Sequence, residues 1–168
     1  MTPQASSGSV DSLRLIQTLL GAASMALALF GVALAFILGD SDGADAAFSP
    51  ALATGLVAVM GAATAVVGPR LAITLDPSTP ATLVDSYRRR FIKRLAVSES
   101  AALAGFLGSI LAASFAPYAV GFGFAAIGFA RIRPTPARIE ADQEQLSLSG
   151  CPHPLEAALR GTSGPGPA

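Results

Sequence analysis

The chain has no tryptophan, one cysteine and one histidine in 168 residues. A single cysteine, Cys151, excludes an internal disulfide framework, and His153 alone leaves little for a metal site. Cys151-Pro152-His153-Pro154 offers fewer than the four ligands of structural zinc. Charge is scarce as well: 13% of residues are Asp, Glu, Lys or Arg, against about 25% in soluble domains. There is no glycine-rich phosphate loop, no helix-borne histidine pair and no Ser/His/Asp set with usable spacing. Gly121-x-Gly123-x-x-x-x-Gly128 is too apolar to be a nucleotide fingerprint. The chain therefore reads as a non-enzyme with no metal or other cofactor. Without tryptophan, an aromatic belt at a membrane interface has only Tyr87, Tyr118 and the phenylalanines to draw on.

What is present is apolar and arranged in blocks. Hydrophobic residues make up 52% of the chain, in uncharged runs that a soluble core would break into amphipathic pieces. The pattern predicts an all-α membrane protein with four transmembrane helices, at about 13–38, 51–68, 95–115 and 117–132, within a domain covering 13–132. Residues 1–12 read as a disordered N-terminus and 133–168 as a polar, largely disordered tail, with 138–148 able to form a short surface helix. The first block exceeds the roughly 7–15 apolar residues of a signal peptide, so it reads as a span. The fourth is short, so a re-entrant hairpin over 95–130 stands as the alternative to two full spans.

The cations fix an orientation. All eleven Lys and Arg residues fall at one set of ends: at the start of the first block, between the second and third, or from the last turn of the fourth onward. The other two connections carry none, and the first of them carries Asp40, Asp42 and Asp45. The positive-inside rule then places both termini and the central loop in the cytoplasm. Ten arginines beside one lysine, in an Ala- and Gly-rich chain, suggest a bacterial inner membrane.

The stretch from Thr79 to Phe115 passes from polar to apolar without a break. Thr79-Pro80 reads as a helix start, with Thr82 and Asp85 as an alternative capping pair. Leu83, Tyr87, Phe91 and Leu95 recur at i, i+4 and predict an amphipathic cytoplasmic segment leading into the third span. Arg88, Arg89, Arg90, Lys93 and Arg94 fill the remaining surface. Beside a bilayer each gains about 1 kcal/mol from anionic headgroups, so the expected partner is lipid and nucleic acid is not.

Two further features lie inside the apolar blocks. Small residues repeat at four-residue spacing, Ala101, Gly105, Ser109 and Ala113 in the third helix and Gly121 and Ala125 in the fourth. Such faces let helix backbones approach closely, within one chain, in a homo-oligomer or against another membrane protein. The other feature is Glu99, the one acidic residue within the predicted spans. Its helical neighbours Leu95, Ala96, Ala102 and Leu103 offer no ionic partner. With alternating topology, the groups at its level are Arg14, Gln17, Arg70 and Arg131. Paired, Glu99 is structural; unpaired, it is a candidate for proton or cation handling.

Ser98-Glu99-Ser100-Ala101-Ala102-Leu103-Ala104-Gly105-Phe106-Leu107 resembles the acidic helix of rotary ATPase proteolipids, the c/K subunits. The likeness extends loosely over residues 51–115: a Gly/Ala-rich helix, a turn with Pro69-Arg70, then the Glu-bearing helix. The resemblance implies that Glu99 is a proton- or sodium-binding carboxylate. Glu99 nevertheless lies nearer the cytoplasmic end than in that family, the central loop is longer and more basic, and the second block lacks an alternating Gly-x-Gly run. The function expected from the residues themselves is that of an accessory or scaffold protein acting through helix–helix contacts, with ion handling through Glu99 as the alternative.

Overall fold

The computed structural model describes residues 11–39, 46–70, 74–151 and 153–160. The N-terminal 1–10, the acidic connection 40–45 and the last residues, 161–168, lie outside them, as do the readings made of those segments. Every regular element among the described residues is an α-helix: α1 (Ser12–Gly39), α2 (Pro50–Arg70), α3 (Pro80–Leu111), α4 (Ala116–Ile132), α5 (Pro136–Leu148) and α6 (Leu155–Leu159). Three of these, α1, α2 over Pro50–Gly68 and α3, are long and apolar enough to cross a membrane. α4 is apolar but only 17 residues long.

Short polar side chains set the starts of α1, α2 and α3. The Asp11 carboxylate accepts from the backbone N–H of Leu13 at 3.1 Å, capping α1. Ser49 accepts from Leu52 N–H at 3.2 Å ahead of α2, whose first residue is Pro50. For α3 the cap is Thr79: its hydroxyl accepts from Thr82 N–H at 3.1 Å, and the Thr82 hydroxyl accepts from Thr79 N–H at 3.0 Å. This reciprocal pair satisfies two orphan donors at once. No glycine or proline then interrupts residues 81–104. The basic half and the apolar half therefore form one helix of 32 residues, about 48 Å at 1.5 Å per residue.

The chain divides into two compact units, with α1 and α3 contributing to both. The first contains Met1–Leu19, Ile73–Phe91 and Pro134–Ala168. Ile16, Leu83, Tyr87, Phe91, Ile139, Leu146, Leu155 and Leu159 are buried in it. α3 meets α5 through Arg90, whose Nη2 donates to Asp142 Oδ1 at 2.8 Å, with both side chains about 15% exposed. Asp142 sits one helical turn from Ile139 and one from Leu146, so the ion pair lies on the apolar side of α5. The Gln143 side-chain oxygen accepts from the N–H of Leu155, tying α6 to α5. Ahead of α3, the Ser86 hydroxyl accepts from Asp76 N–H at 3.1 Å and donates to the Leu83 carbonyl. Hydrogen bonds from the Ser78 backbone N–H and hydroxyl hold the Asp76 carboxyl below its ordinary range.

Two expectations change in this unit. The tail after 133 is not largely disordered over its described part, because Ile139, Leu146, Leu155 and Leu159 give two otherwise polar helices a buried side. And the stripe Leu83–Tyr87–Phe91 of the amphipathic segment is covered within the protein, at 0%, 8% and 5% exposure, so it is not the side that a bilayer surface would take.

The second unit contains Leu20–Ala72 and Ile92–Arg133. Its core joins Leu27 of α1, Ala102 of α3, and Ala125 and Phe129 of α4, with Leu20, Ala23, Leu95 and Ile132 packed around them. Phe30 of α1 also meets Phe106 of α3, with ring centroids 5.4 Å apart. α2 joins through Gly61, where a side chain would collide with the Phe124 ring of α4. The outer surfaces of these helices are strongly apolar, with Met25, Phe36, Leu56, Val59 and Leu107 all more than half exposed. In a bilayer such side chains face lipid, and burial adds little to helix association there.

The α3–α5 ion pair yields a prediction. Asp142→Ala leaves the Arg90 guanidinium partly buried without its carboxylate, and lowers stability by about 1–3 kcal/mol, between exposed and fully buried pairs. Replacing both residues, Arg90→Met with Asp142→Leu, restores most of that loss. Thermal unfolding of the parent, Asp142→Ala and the double variant in one detergent measures both.

Candidate functional site

α3 carries the candidate carboxylate, and its two faces differ. One face is closed: Ala101, Ala102, Gly105, Ser109 and Ala112 are all buried. The opposite face is open: Ile92, Ala96, Leu103, Leu107 and Ile110 are exposed. Glu99 and Ser100 sit at the two margins of the open face, each half-buried. They are about 100° apart around the helix because they are consecutive residues.

The register of the second unit sets the depth of Glu99. Ala102 shares its cluster with Leu27, so Glu99, three residues earlier in α3, lies level with Ser24, three residues earlier in α1. On α4 the reference is Gly128, against which Ser98 packs. Glu99 therefore enters the apolar zone by about one helical turn beyond Leu95.

None of the four expected partners meets it. Among the described residues no ion pair and no hydrogen bond of the carboxylate involves Glu99. Arg14 pairs instead with Asp11, at 3.5 Å. Gln17, Arg70 and Arg131 are exposed. The hydroxyls of the apolar helices are spent locally: Ser24 donates to Leu20 O, Thr54 to Pro50 O, Ser98 to Arg94 O and Ser100 to Val97 O.

The basic run is divided by its surroundings. Arg88 and Lys93 are exposed and Arg94 is half-buried. Arg89 pairs with Asp85 at 2.9 Å, one turn away. Arg90 is turned inward to Asp142, so its guanidinium is engaged by protein and not by headgroups.

The small residues line the α3–α4 interface, except for one, Ala113, which lies in the turn between the two helices. A Cβ on Gly105 would lie 2.6 Å from Pro117 O, and one on Gly121 would collide with Ala101 O, so the two backbones touch. Ser109 and Ala125 are fully buried beside them. Ala113 belongs elsewhere. It follows the last turn of α3 with φ of 45°, while Ser114 N–H donates to Ser109 O and Ala113 N–H to Ile110 O. This is a Schellman end, a position that usually holds glycine. At the end of α5 the equivalent residue is a glycine, Gly150, with φ of 79°.

Tyr118 is the residue that sequence reasoning missed. It was expected at an interfacial belt, as was Tyr87, yet both are buried, at 3% and 8% exposure. Tyr118 is the third residue of α4, and its orphan N–H donates to the Ser109 hydroxyl at 2.8 Å. Pro117 has no N–H, and Ala116 N–H reaches the Ser114 hydroxyl at 3.4 Å, so the start of α4 is satisfied. The phenol crosses to α1 and donates to the Leu27 carbonyl. It passes over Gly31, where a Cβ would stand 2.9 Å from the ring. No local periodicity marks this, because the partners lie nine and ninety-one residues away.

Among the described residues no three His, Cys, Asp or Glu side chains gather as a metal site. Comparison with protein families, with curated proteins and with solved structures finds no match to this chain. The functional reading therefore rests on the geometry of α3.

The turn makes a paired prediction. Ser109→Ala strands the Tyr118 N–H in the interior and lowers stability by about 1–3 kcal/mol. Ala113→Gly, four residues on, relieves the left-handed backbone and raises it by up to about 1 kcal/mol. Thermal unfolding in one detergent should move in opposite directions for the two variants.

Proposed function

We propose that this chain is a small multipass protein of the bacterial inner membrane that acts without catalysis, as an accessory or scaffold subunit, through helix–helix contacts made by α3. The observation that carries the reading is Glu99, half-buried at the margin of an open apolar face with no ionic partner among the described residues. A carboxyl turned towards hydrocarbon is costly alone and is stabilised when a neighbouring helix supplies a hydrogen-bonding group. No group among the described residues of its own chain hydrogen-bonds or pairs with it, so the complementary group comes from a second polypeptide.

The reading assumes four spans with both termini cytoplasmic. Ala47 and Phe48 N–H groups donate to the Leu111 carbonyl at 2.9 and 3.2 Å, so the lead-in to α2 and the end of α3 meet at one level. α4 returns from that level for 17 residues, about 25 Å, and Ile132 near its end packs against the same cluster as Leu20 and Leu95. This supports two full crossings over a re-entrant hairpin. The side assignment comes from the cation distribution, and the exposed Arg88 and Lys93 would meet anionic headgroups.

A second reading, proton or cation handling through Glu99 as in proteolipids, draws on the same unpaired carboxyl. The two separate in one experiment. Membranes holding the parent chain and a Glu99→Gln variant are treated with a carboxyl-directed carbodiimide across pH, with and without sodium. For the contact role, sodium leaves Glu99 labelling unchanged and the glutamine variant, which keeps the hydrogen-bonding groups, assembles as the parent does. Sodium protection would overturn the contact role in favour of ion handling.

Topology is tested separately with a membrane-impermeant thiol reagent. In a Cys151→Ser background, Asp42→Cys should label from outside intact cells, whereas the native Cys151 should label only once the cytoplasmic side is opened. The reverse pattern refutes the assignment.

A further inference from the structure

We propose that the second polypeptide is another copy of this chain, and that the open face of α3 is the seam of a parallel two-fold dimer in which each Glu99 carboxyl hydrogen-bonds the partner's Ser100. The inference rests on the contact role of Glu99 and names its occupant.

The argument begins with the arrangement of the face. Its exposed line is Ile92, Ala96, Leu103, Leu107 and Ile110, with exposures of 44%, 44%, 60% and 43% for the four large side chains in order. Glu99 borders the line on one side and Ser100 on the other, at nearly the same depth, because each residue advances about 100° and only about 1.5 Å. Copies inserted by one route share one orientation, so a closed dimer has its axis along the membrane normal. Rotating α3 by half a turn about that axis brings the Glu99 margin of one helix opposite the Ser100 margin of the other. The relation is reciprocal, so both pairs form together.

The hydrogen-bonding chemistry is complementary. Ser100 donates its own proton to the Val97 carbonyl at 2.7 Å, which leaves its oxygen as an acceptor. The Glu99 carboxyl supplies the donor in its protonated form. Each contact therefore pairs a donor that α3 leaves unused with an acceptor that α3 leaves unused. Ala96, at the centre of the line just ahead of Glu99, presents only a methyl and lets the backbones approach. The other helices of the apolar unit, α1, α2 and α4, carry no carboxyl.

Crosslinking in native membranes tests this with the full chain, in the Cys151→Ser background. Leu103→Cys, on the seam, should form an intermolecular disulfide on mild oxidation. Leu29→Cys of α1 and Val59→Cys of α2, 60% and 70% exposed, should not. Removing one hydrogen-bonding group by Glu99→Ala or Ser100→Ala should lower the Leu103→Cys yield, with association weakened about fivefold. Glu99→Gln should preserve it. Ser100→Ala removes only a bond within one helix from the isolated fold, so its effect cannot be ascribed to misfolding.

Equal disulfide yields at all three cysteine positions overturn the proposal, as does indifference of the Leu103→Cys yield to both alanine variants. A chain that counts as a monomer by single-molecule photobleaching in lipid also overturns it. That result, combined with sodium-insensitive Glu99, removes the dimer and leaves a contact with a different membrane protein. Sodium protection of Glu99 removes both readings together.

Discussion

Backbone amides away from water must find acceptors, and the start of α4 is where this constraint is hardest to meet. The chain turns there in four residues, Ala112–Phe115, between two apolar helices. Ser109 supplies an oxygen from the preceding helix, Pro117 removes one donor, and Ser114 takes another. With the amides satisfied, α3 and α4 close until Gly105 and Gly121 touch the opposite backbones. Tyr118 then stands inside the unit, and its hydroxyl fixes α1 through the Leu27 carbonyl. α1, α3 and α4 thus share one polar junction inside an apolar core. Where hydrophobic burial contributes little to helix association, such hydrogen bonds and close backbone contacts take its place.

The same junction explains why α3 has one open face. Its closed side is occupied by α4 along Ala101, Gly105 and Ser109, and its flank by α1 through Ala102 and Phe106. Nothing in the described second unit covers the line from Ile92 to Ile110. Glu99 and Ser100 belong to that line by helical geometry alone. Their placement is thus a consequence of how tightly the small-residue side packs. In the first unit α3 behaves differently, since the stripe Leu83–Tyr87–Phe91 is buried and Arg90 is neutralised by Asp142. One continuous helix therefore serves as a buried element over one stretch and presents an open face over the next.

Much of the fold was legible in the residues. Uncharged blocks of spanning length predicted the apolar helices, and Thr79-Pro80 and Pro50 marked two of their starts. The small residues Ala101, Gly105, Ser109, Gly121 and Ala125 were visible as a repeat. Ala113 shared the repeat and not the role, because the helix ends two residues before it. In the tail a short helix over 138–148 was expected and α5 covers it, but α6 and the buried side of both helices were not foreseen, since four apolar residues spread among polar ones give a weak signal until they find a common core. Tyr118 and the Arg90–Asp142 pair had no local signature, because each joins residues far apart in the chain.

By itself the sequence determined the class of the protein: helical, apolar enough to cross a bilayer, its cations gathered at one set of ends, and a single acidic residue in the apolar blocks. Those properties follow from composition and from periods of a few residues, which are local. Whether Glu99 would find an internal partner was decided by the tertiary structure, because Arg14 turned to Asp11 and neither Arg70 nor Arg131 came within reach. So too was the fate of the basic run, of which Arg90 was drawn into the protein. Long-range pairing depends on which side of each helix the packing closes, and a one-dimensional pattern carries that information only weakly.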